Sequence, residues 1–242
     1  MANANTERKS HFRFKQFTIA HDRSTMKVGT DAVLLAAWAR MHDATALLDI
    51  GTGCGVIALM LAQRTIAAAH IHAVEMDVES AAQAAENFAA SPWPEKLQVH
   101  QTKIQDFDPI MRFDLIISNP PFFNRSLTPP NARRGHARHT SSLGFLDLLH
   151  AVDGLLDHHG RFNVILPFNE GNDFIRQAEV FGFRCSRKWK CKSKNSKPWE
   201  RWLLEWTRMD LPAETGEIVI NGSNDHWSDD YIRLTQDFYT VL

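Results

Sequence analysis

The chain has 242 residues, 44% of them hydrophobic, and its 27 Lys and Arg against 28 Asp and Glu give a net charge of -1. This length allows one large α/β domain or two small ones. Three cysteines at unrelated spacings form neither a disulfide framework nor a metal pair, the histidines show no metal-ligand spacing, and no apolar run approaches the roughly 18 residues of a membrane span. These features exclude a disulfide-rich secreted protein and a membrane-spanning one, and they predict a cytoplasmic protein without a metal site.

Residues 1–45 are predicted to form a small N-terminal extension. Residues 1–10 are polar and are expected to be disordered. His11–His21 alternates aromatic with polar residues, which is typical of a hairpin or strand. The stretch "GTDAVLLAAWARM" then predicts a helix that Thr30 or Asp31 caps and that ends near Met41.

Residues 46–242 alternate strand and helix in the manner of an α/β domain. This rhythm predicts a doubly wound, mostly parallel sheet with helices on both faces. The expected strands lie near 46–50, 70–75, 97–101, 113–118 and 161–167, and the expected helices near 55–65, 78–90, 143–158 and 170–181. Two further strands, near 183–189 and 200–207, have no space between them for a crossover helix and should be antiparallel. A strand near 217–220 and a helix near 227–240 close the chain.

A glycine-rich turn follows the first strand of this domain. The sequence "DIGTGCG" places Gly51, Gly53 and Gly55 directly before a helix. Glycines allow a sharp turn and a close ligand approach, and a helix N-terminus offers unpaired N–H groups. The dinucleotide fingerprint is G-x-G-x-x-G, whereas here the pattern is G-x-G-x-G with Asp49 two residues ahead. This difference favours S-adenosylmethionine over NAD as the ligand.

Acidic residues follow the next two strands. Glu75 comes 24 residues after Gly51, close to the roughly 20-residue interval at which an acid binds ribose hydroxyls in such folds. Asp77 competes for this role, although it suits the N-terminal charge of a helix better. Asp106 is a candidate partner of an adenine amino group, and a role as a loop cap is an equal alternative.

The strand "DLIIS" ends on Asn119, Pro120 and Pro121, followed by Phe122 and Phe123. Ligands bind at this carboxyl edge of a doubly wound sheet. The prolines fix φ and donate no hydrogen bond, so the asparagine side-chain oxygen and the first proline carbonyl form a rigid pair of acceptors. Two such acceptors can grip the hydrogens of an aromatic amine and aim its lone pair at a methyl donor. The phenylalanines offer a stacking surface for the target base.

The same element discriminates among methyl acceptors. Methylation at carbon 5 of a pyrimidine needs a cysteine nucleophile, and no cysteine lies in this stretch. Transfer to an amino nitrogen is therefore favoured.

The motifs "DIGTGCG", "AVEMD" and "NPPF" together resemble class I S-adenosylmethionine-dependent methyltransferases of the Asn-Pro-Pro-Tyr/Phe group, whose members methylate amino nitrogens of adenine, guanine or glutamine. The stretches "FKQFTIAHDRSTMKVGTDAVLLAAWA", "ISNPPFF" and "YIRLTQDFY" are similar to bacterial valine-tRNA adenine methyltransferases, which modify adenosine 37 beside the anticodon. This resemblance covers essentially the whole chain after residue 10. It implies a Rossmann-like methyltransferase domain at 46–242, S-adenosylmethionine as cofactor and a tRNA anticodon loop as partner.

The resemblance also assigns roles to individual residues. Those implied to bind the cofactor are Asp49, Gly51 and Gly53 at the methionine part, Glu75 at the ribose, Asp106 at the adenine, and Asn119. Lys27, Thr30 and Asp31 resemble positions that close over the cofactor, although helix capping is an equal alternative for them. Asn119, Pro120 and Phe122 are implied to hold the target base.

Two segments are locally basic. Between Phe123 and Phe145 there is no acid but there are four arginines, which are candidate RNA contacts together with Phe123: Arg125, Arg133, Arg134 and Arg138. From Arg184 to Arg201 there are eight Lys and Arg and one acid, with two tryptophans interleaved. This second segment is more lysine-rich than expected for the family, and it suits either RNA contact or a solvated surface.

Three alternative functions remain open from the sequence. Guanine amino methylation of ribosomal RNA uses the same Asn-Pro-Pro element, often with a duplicated catalytic domain that is not found here. Glutamine methylation of a release factor is associated with a helical domain ahead of the glycine turn, for which 45 residues leave no space. A catalytically silent RNA-binding module is the third, and the intact Asn-Pro-Pro-Phe element argues against it.

Overall fold

The fold is described from a computed structural model, which defines residues 10–121, 143–222 and 226–241. The tail predicted to be disordered lies outside these residues, apart from Ser10. A two-stranded antiparallel hairpin opens the described chain, with β1 at His11–Arg13 and β2 at Thr18–Ala20. This finding confirms the hairpin prediction.

Helix α1 runs over Thr30–Trp38, and its ends differ from the prediction. The N-cap residue is Gly29, in an extended conformation, and no side chain caps the helix, so the assignment of Thr30 or Asp31 as the cap was wrong. The helix ends at Trp38, before Met41, because Ala39 leaves the helical conformation with ψ 137°, and a turn at His42 and Asp43, both with positive φ, follows. Seven consecutive residues of α1, 32–38, are buried, so the helix lies inside the protein and not on its surface.

The main sheet has eight strands, and six helices of the described chain pack around it or beside it. The strands are β3 (Ala46–Ile50), β4 (His70–Glu75), β5 (Leu97–Gln101), β6 (Phe113–Ser118), β7 (Leu156–Pro167), β8 (Arg184–Lys194), β9 (Arg201–Thr207) and β10 (Glu214–Asn221). The helices after α1 are α2 (Val56–Arg64), α3 (Val78–Ala89), α4 (Phe145–Leu155), α5 (Phe168–Val180) and α6 (Asp229–Thr235). Short 3-10 helices cover Pro94–Lys96 and Ile104–Asp106.

The strand order is β10-β8-β9-β7-β6-β3-β4-β5. Strands β5, β4, β3, β6 and β7 are parallel, whereas β9 is antiparallel to both β7 and β8. The predicted doubly wound, mostly parallel sheet and the antiparallel β8–β9 pair are therefore confirmed. The order reverses between β3 and β6, and this switch point is where ligands bind in such sheets.

Several element bounds differ from the prediction. Helix α4 ends at Leu155 and β7 begins at once at Leu156, which pairs with Phe113 ahead of a register shift. Strand β8 continues to Lys194 because β9 on one side and β10 on the other supply hydrogen-bond partners along its length. These partners are remote in sequence, so local patterns do not reveal them.

Two buried clusters, one on each face of the sheet, form the core. One contains residues of α1, α2 and the N-terminal hairpin, including Phe14, Val33 and Leu59. The other contains residues of α4, α5 and β9, including Leu149 and Phe174. The N-terminal extension is thus packed into the same core as the remainder of the chain.

Candidate methyltransferase site

A cavity of about 1230 Å³ lies at the carboxyl edge of β3, β4 and β6. Its walls come from the segment ahead of α1 and the first turn of that helix, the glycine turn, the residues that follow β4 and β5, the Asn-Pro-Pro element after β6, and the chain around the start of α4. Small-ligand pockets commonly measure about 300–1,000 Å³. This cavity is therefore large enough for a cofactor together with part of a substrate.

The glycine turn depends on backbone conformations that other residues rarely adopt. Gly51, Gly53 and Gly55 all have positive φ, at 74°, 56° and 91°. A Cβ at Gly55 would also lie 2.5 Å from Cε1 of Phe88, so α2 and α3 approach more closely than an alanine would permit. The turn is thus closely packed against α3 at Gly55, and its backbone at Gly51 and Gly53 faces the cavity.

The N–H groups of this turn are largely satisfied within the protein. Gly51 N donates to the carbonyl of Val74 at 2.8 Å, and Gly53 N donates to Glu75 Oε2 at 2.9 Å. These two N–H groups therefore stabilise the turn itself, because the turn folds over the end of β4. The contact from Gly53 fixes the Glu75 carboxylate at the cavity wall.

Asp49 lies beneath the glycine turn and is not part of the cavity wall. Its side chain is fully buried, Oδ2 accepts a hydrogen bond from Thr52 Oγ1 at 2.6 Å, and the backbone N–H of Ala58 in α2 also interacts with the carboxyl. Burial raises the pKa of Asp49 to about 7, the hydrogen bonds from Thr52 and from the Ala58 backbone oppose this rise, and the charge of Glu75 adds to it. Asp49 can thus act on a ligand only through the field beneath the turn or through its neighbours.

The three acids after β4 and β5 all border the cavity, in different settings. Glu75 is almost buried, and its Oε1 accepts from Asp77 N at 2.9 Å. Asp77 is the N-cap of α3 and accepts from Ser80 N at 2.9 Å, as its predicted helix-terminal role requires. Asp106 is exposed at the end of its 3-10 helix. Glu75 and Asp106 therefore present carboxylate oxygens to the cavity, whereas that of Asp77 holds its helix.

Asn119 is positioned by the end of β6. The preceding residue, Ser118, is buried and donates from Oγ to the carbonyl of Ile50 at 2.9 Å, which ties the end of β6 to the end of β3. Asn119 Oδ1 is buried and has no hydrogen-bond partner in the described part of the chain. Asn119, Pro120 and Pro121 all line the cavity. An unsatisfied acceptor therefore stands at the switch point of the sheet.

A row of polar side chains on α3 holds the segment between the hairpin and α1 against the cavity. Ser80, Gln83 and Asn87 recur at helical spacing and are buried. Asn87 exchanges two hydrogen bonds with the backbone of Ala20 and donates a third to the carbonyl of Cys54. Gln83 and Ser80 accept from backbone N–H groups of residues 23–25.

The structure brings most of the predicted cofactor residues to one cavity. Those in its wall are Lys27, Thr30, Asp31, Gly51, Gly53, Glu75, Asp106 and Asn119, with Pro120 beside them. Asp31 also accepts from Arg201 Nε at 2.8 Å, which links α1 to the start of β9. The other predicted substrate residues lie outside the described residues: Phe122, Phe123, Arg125, Arg133, Arg134 and Arg138.

Sequence reasoning missed several residues at this site. The sequence of α3 resembles that of an ordinary amphipathic helix. The one feature that could have revealed its role is that three amide or hydroxyl side chains share one helical face. Met76 and Val78, on either side of Asp77, are 42% and 62% exposed and line the cavity. Leu143, just ahead of α4, and Asp147, in its first turn, also line the cavity. No sequence pattern near these two residues indicated a place in the site.

The residues present fit S-adenosylmethionine. Glu75 and Asp106 offer acceptors for ribose hydroxyls and an adenine amino group, and the exposed Met76 and Val78 offer apolar surface. The unpartnered Asn119 Oδ1 needs a hydrogen-bond donor that the described residues do not supply.

The described residues contain neither a membrane-spanning helix nor a cluster of metal-ligating side chains. No helix in residues 10–121, 143–222 and 226–241 is both long enough and apolar enough to cross a bilayer. Within the same residues, no group of three or more His, Cys, Asp or Glu side chains is arranged to hold a metal ion.

Comparison with known proteins agrees with the site geometry. Residues 23–134 match the family model described as "Methyltransferase small domain". A solved structure of a predicted O-methyltransferase from Agrobacterium tumefaciens aligns with a TM-score of 0.65 over 86% of this chain and 96% of that one, at 14% identity, which shows the fold alone. Fold and site together define an S-adenosylmethionine-dependent methyltransferase.

Curated relatives narrow this class. The tRNA1(Val) (adenine(37)-N6)-methyltransferase of Salmonella enteritidis is 43% identical over 237 residues, covering 97% of each chain. The protein of the same name from Citrobacter koseri is 41% identical over 242 residues, covering 99% of each. The chain belongs to the family of tRNA1(Val) (adenine(37)-N6)-methyltransferases.

Proposed function

We propose that this protein transfers a methyl group from S-adenosylmethionine to the exocyclic amino nitrogen of adenine 37 in the anticodon loop of tRNA1(Val), in the cytoplasm. The observation that carries this proposal is the buried Asn119 Oδ1 at the cavity edge, which no group in residues 10–121, 143–222 or 226–241 satisfies. An acceptor without a donor suits an amino group that arrives with the substrate. The names of the curated relatives supply the tRNA and the nucleotide.

The bound cofactor supplies an electrophilic methyl group on a sulfonium. The protein's part is to orient the amine, because an exocyclic amine delocalises its lone pair into the ring and is a poor nucleophile. Asn119 Oδ1 accepts one of its hydrogens and the Pro120 carbonyl accepts the other, which localises the lone pair and directs it at the methyl carbon. Positioning of this kind supplies most of the rate enhancement. The transfer would exchange a carbon–sulfur bond for a carbon–nitrogen bond and leave a neutral thioether, and the extra proton on the nitrogen would pass to solvent, so no general base is obligatory.

The surrounding residues keep this geometry fixed. The Ser118 hydrogen bond to Ile50 ties the end of β6 to β3, so Asn119 cannot shift independently of the glycine turn. The two prolines restrict the backbone that follows. Phe122 is proposed as the surface on which the adenine stacks, and this assignment rests on the sequence. A base in a tRNA loop is already unpaired, which lowers the cost of bringing it into the cavity.

The decisive test is labelled methyl transfer onto unmodified tRNA1(Val), followed by nucleoside analysis. We expect label in N6-methyladenosine with the wild-type transcript and none with a transcript that carries guanosine at position 37. Label in a methylguanosine would support guanine methylation instead, and label in protein alone would support glutamine methylation. Tight RNA binding without any transfer would indicate a silent binding module.

Replacing Asn119 separates catalysis from folding. Asn119→Ala should lower kcat by at least a hundredfold, the loss typical when a positioning or transition-state contact is removed. Affinity for S-adenosylhomocysteine, measured by calorimetry, should stay within a fewfold of wild type. Loss of both methyl transfer and S-adenosylhomocysteine binding would mean that Asn119 is structural. Unchanged methyl transfer would contradict the acceptor role.

A further inference from the structure

Strand β8 presents two chemically different faces. Arg187, Trp189 and Cys191 point to the α1 side, where the Arg187 guanidinium lies 4.0 Å above the Trp38 ring. Alternation along a strand places the intervening residues on the opposite face. That face carries four lysines in succession: Lys188, Lys190, Lys192 and Lys194.

Two indole rings lie beside this row of lysines. Lys188 Nζ is 4.6 Å from the centroid of the Trp202 ring, and Lys190 Nζ and Lys192 Nζ are 4.4 and 4.6 Å from that of Trp199. Such contacts order the lysine stems and leave the ammonium groups accessible. Each of these three lysines is partly exposed.

Two of the charges are not compensated. Lys190 pairs with Glu217 at 2.7 Å. Among the residues that the structure describes, neither Lys188 nor Lys192 has an ion-pair partner, and Lys192 Nζ donates only to the carbonyl of Asn195 at 3.1 Å. Other basic residues of the segment are paired internally, Arg187 with Glu205 and Arg184 with Asp210.

The row of lysines runs towards the edge of the sheet at which the cavity lies, because β8 is antiparallel to β9, β9 is antiparallel to β7, and β7 is parallel to β6. Cys191, which lies between Lys190 and Lys192, is paired in register with Arg201 at the start of β9. On the α1 face, opposite the lysines, Arg201 donates to Asp31, and Asp31 lines the cavity. The C-terminal end of β8 is therefore at the same edge of the sheet as Asn119.

The chemistry of the row fits a polyanion. Alternate residues on a strand are about 6.7 Å apart, a repeat similar to that of successive phosphates along an RNA backbone. Ordered cations next to aromatic rings are typical of surfaces that bind nucleic acid. The overall charge of -1 makes this concentration a local feature and not a consequence of composition.

We propose that the row formed by Lys188, Lys190 and Lys192 is a second contact surface for the tRNA substrate, a proposal that rests on the proposed function. The lysines bind phosphates of the tRNA backbone while the target base enters the cavity. The row contributes affinity for tRNA without reading its sequence, because phosphate contacts carry no sequence information.

The test removes the two uncompensated charges in the double variant K188Q/K192Q. Binding of an unmodified tRNA1(Val) transcript is measured by fluorescence anisotropy between 50 and 300 mM salt, conditions that span about 0.1 M ionic strength. The logarithm of the association constant falls linearly with the logarithm of the salt concentration, and each lost phosphate contact makes this dependence shallower by about 0.7–0.9. For K188Q/K192Q we expect the magnitude of this slope to decrease by about 1.4–1.8 and the Kd for tRNA to rise roughly tenfold to thirtyfold near 0.15 M salt.

Two matched variants serve as controls. K188R/K192R keeps both charges and should bind tRNA like wild type, so a loss in this variant would mean that packing against the indoles matters and would overturn the proposal. R112Q/R233Q removes two exposed positive charges elsewhere, from the residue ahead of β6 and from α6, and should change the slope much less. Equal losses in R112Q/R233Q and K188Q/K192Q would reduce the effect to net charge and contradict a specific surface.

The outcome is distinguishable from failure of the proposed function. If the wild-type protein methylates no adenine in this transcript, the proposed function fails whatever the lysine variants do. If the wild-type protein methylates adenine 37 and K188Q/K192Q binds tRNA with unchanged Kd and slope, only the surface proposal is overturned. Affinity for S-adenosylhomocysteine, measured alongside, shows whether K188Q/K192Q is folded.

Discussion

At the scale of single residues, two buried polar groups meet opposite requirements. Asn119 Oδ1, which has no hydrogen-bond partner among the described residues, stands at the cavity, where a substrate amine can satisfy it, whereas the Asp49 carboxyl is sealed beneath the glycine turn. A neutral amide tolerates the absence of a partner at a cost of about 1–3 kcal/mol. A buried carboxylate instead gains a proton, because burial without a counter-charge disfavours its ionised form.

Asp49 should therefore make stability depend on pH. Its pKa is raised by burial from 3.8 to about 7 on folding. Below pH about 4 both states hold the proton and this contribution is fully present, and it is lost as the pH rises through about 7. We expect the free energy of unfolding to fall by up to about 1.4 kcal/mol per pH unit within this window in the wild type, but not in Asp49→Asn.

Urea denaturation at pH 5, 6, 7 and 8 measures this difference. The exposed Asp108 provides a control, since Asp108→Asn should keep the wild-type pH profile. Identical profiles for wild type and Asp49→Asn would show that this carboxyl does not hold a proton in the folded protein.

At the scale of elements, α3 connects the N-terminal segment to the cofactor cavity. Its buried polar side chains form hydrogen bonds with the backbone of residues that precede α1, and Asn87 also donates to the carbonyl of Cys54 in the glycine turn. The segment from 22 to 27 is mostly exposed and packs little apolar surface of its own. These hydrogen bonds therefore decide whether it lies against the cavity.

Gln83→Leu should loosen this segment without unfolding the protein. Gln83 Oε1 accepts from the N–H groups of Arg23 and Ser24, and Nε2 donates to Asp22. Without these bonds, closing the segment over the cofactor costs additional free energy, of the order of 1–2 kcal/mol. We expect the Kd for S-adenosylhomocysteine in calorimetry to rise about tenfold.

The matched control is Ala85→Gln, which adds the same side chain to the exposed face of α3. It should leave the Kd unchanged. Faster amide exchange at residues 22–25 in Gln83→Leu is also expected, and an unaltered Kd together with unaltered exchange would contradict the positioning role.

At the scale of the whole molecule, the two ends of the described chain meet. Phe14 is 1% exposed and stacks on Tyr239 with ring centroids 5.9 Å apart, and Lys15 N donates to the carbonyl of Phe238 at 2.7 Å. The hairpin thereby packs against the turn that follows α6. Because the segment over the cavity begins where the hairpin ends, this contact anchors one side of the site.

A double-mutant cycle measures this anchor. Phe14→Leu and Tyr239→Leu should show a coupling of about 0.5–1.5 kcal/mol in urea denaturation, as expected for an aromatic pair. Phe14→Leu combined with Phe183→Leu, in the core cluster on the other face, should be additive within about 0.5 kcal/mol. Additivity of the first pair would mean that the ends lie together without stabilising each other.

Local patterns predicted much of this architecture. Alternation of strand and helix gave the sheet class, and glycines, an acid and an Asn-Pro-Pro run at strand ends gave most of one cavity wall. The cap of α1 was misassigned because Thr30 and Asp31 have the right chemistry, yet the chain enters the helix at Gly29. Strand ends were misjudged where remote pairing set them, as at Leu156 and Lys194.

By itself, the sequence determined the features that depend on a residue's own chemistry and close neighbours: the strand–turn–helix rhythm, the glycine turn and the rigid Asn119–Pro121 element. Only the tertiary structure decided that Asp49 is sealed under the turn, that α3 holds the N-terminal segment, and that β8 exposes its lysines on one face. Burial and pairing depend on groups far apart in sequence, and those groups become neighbours only when the sheet and its two core clusters form.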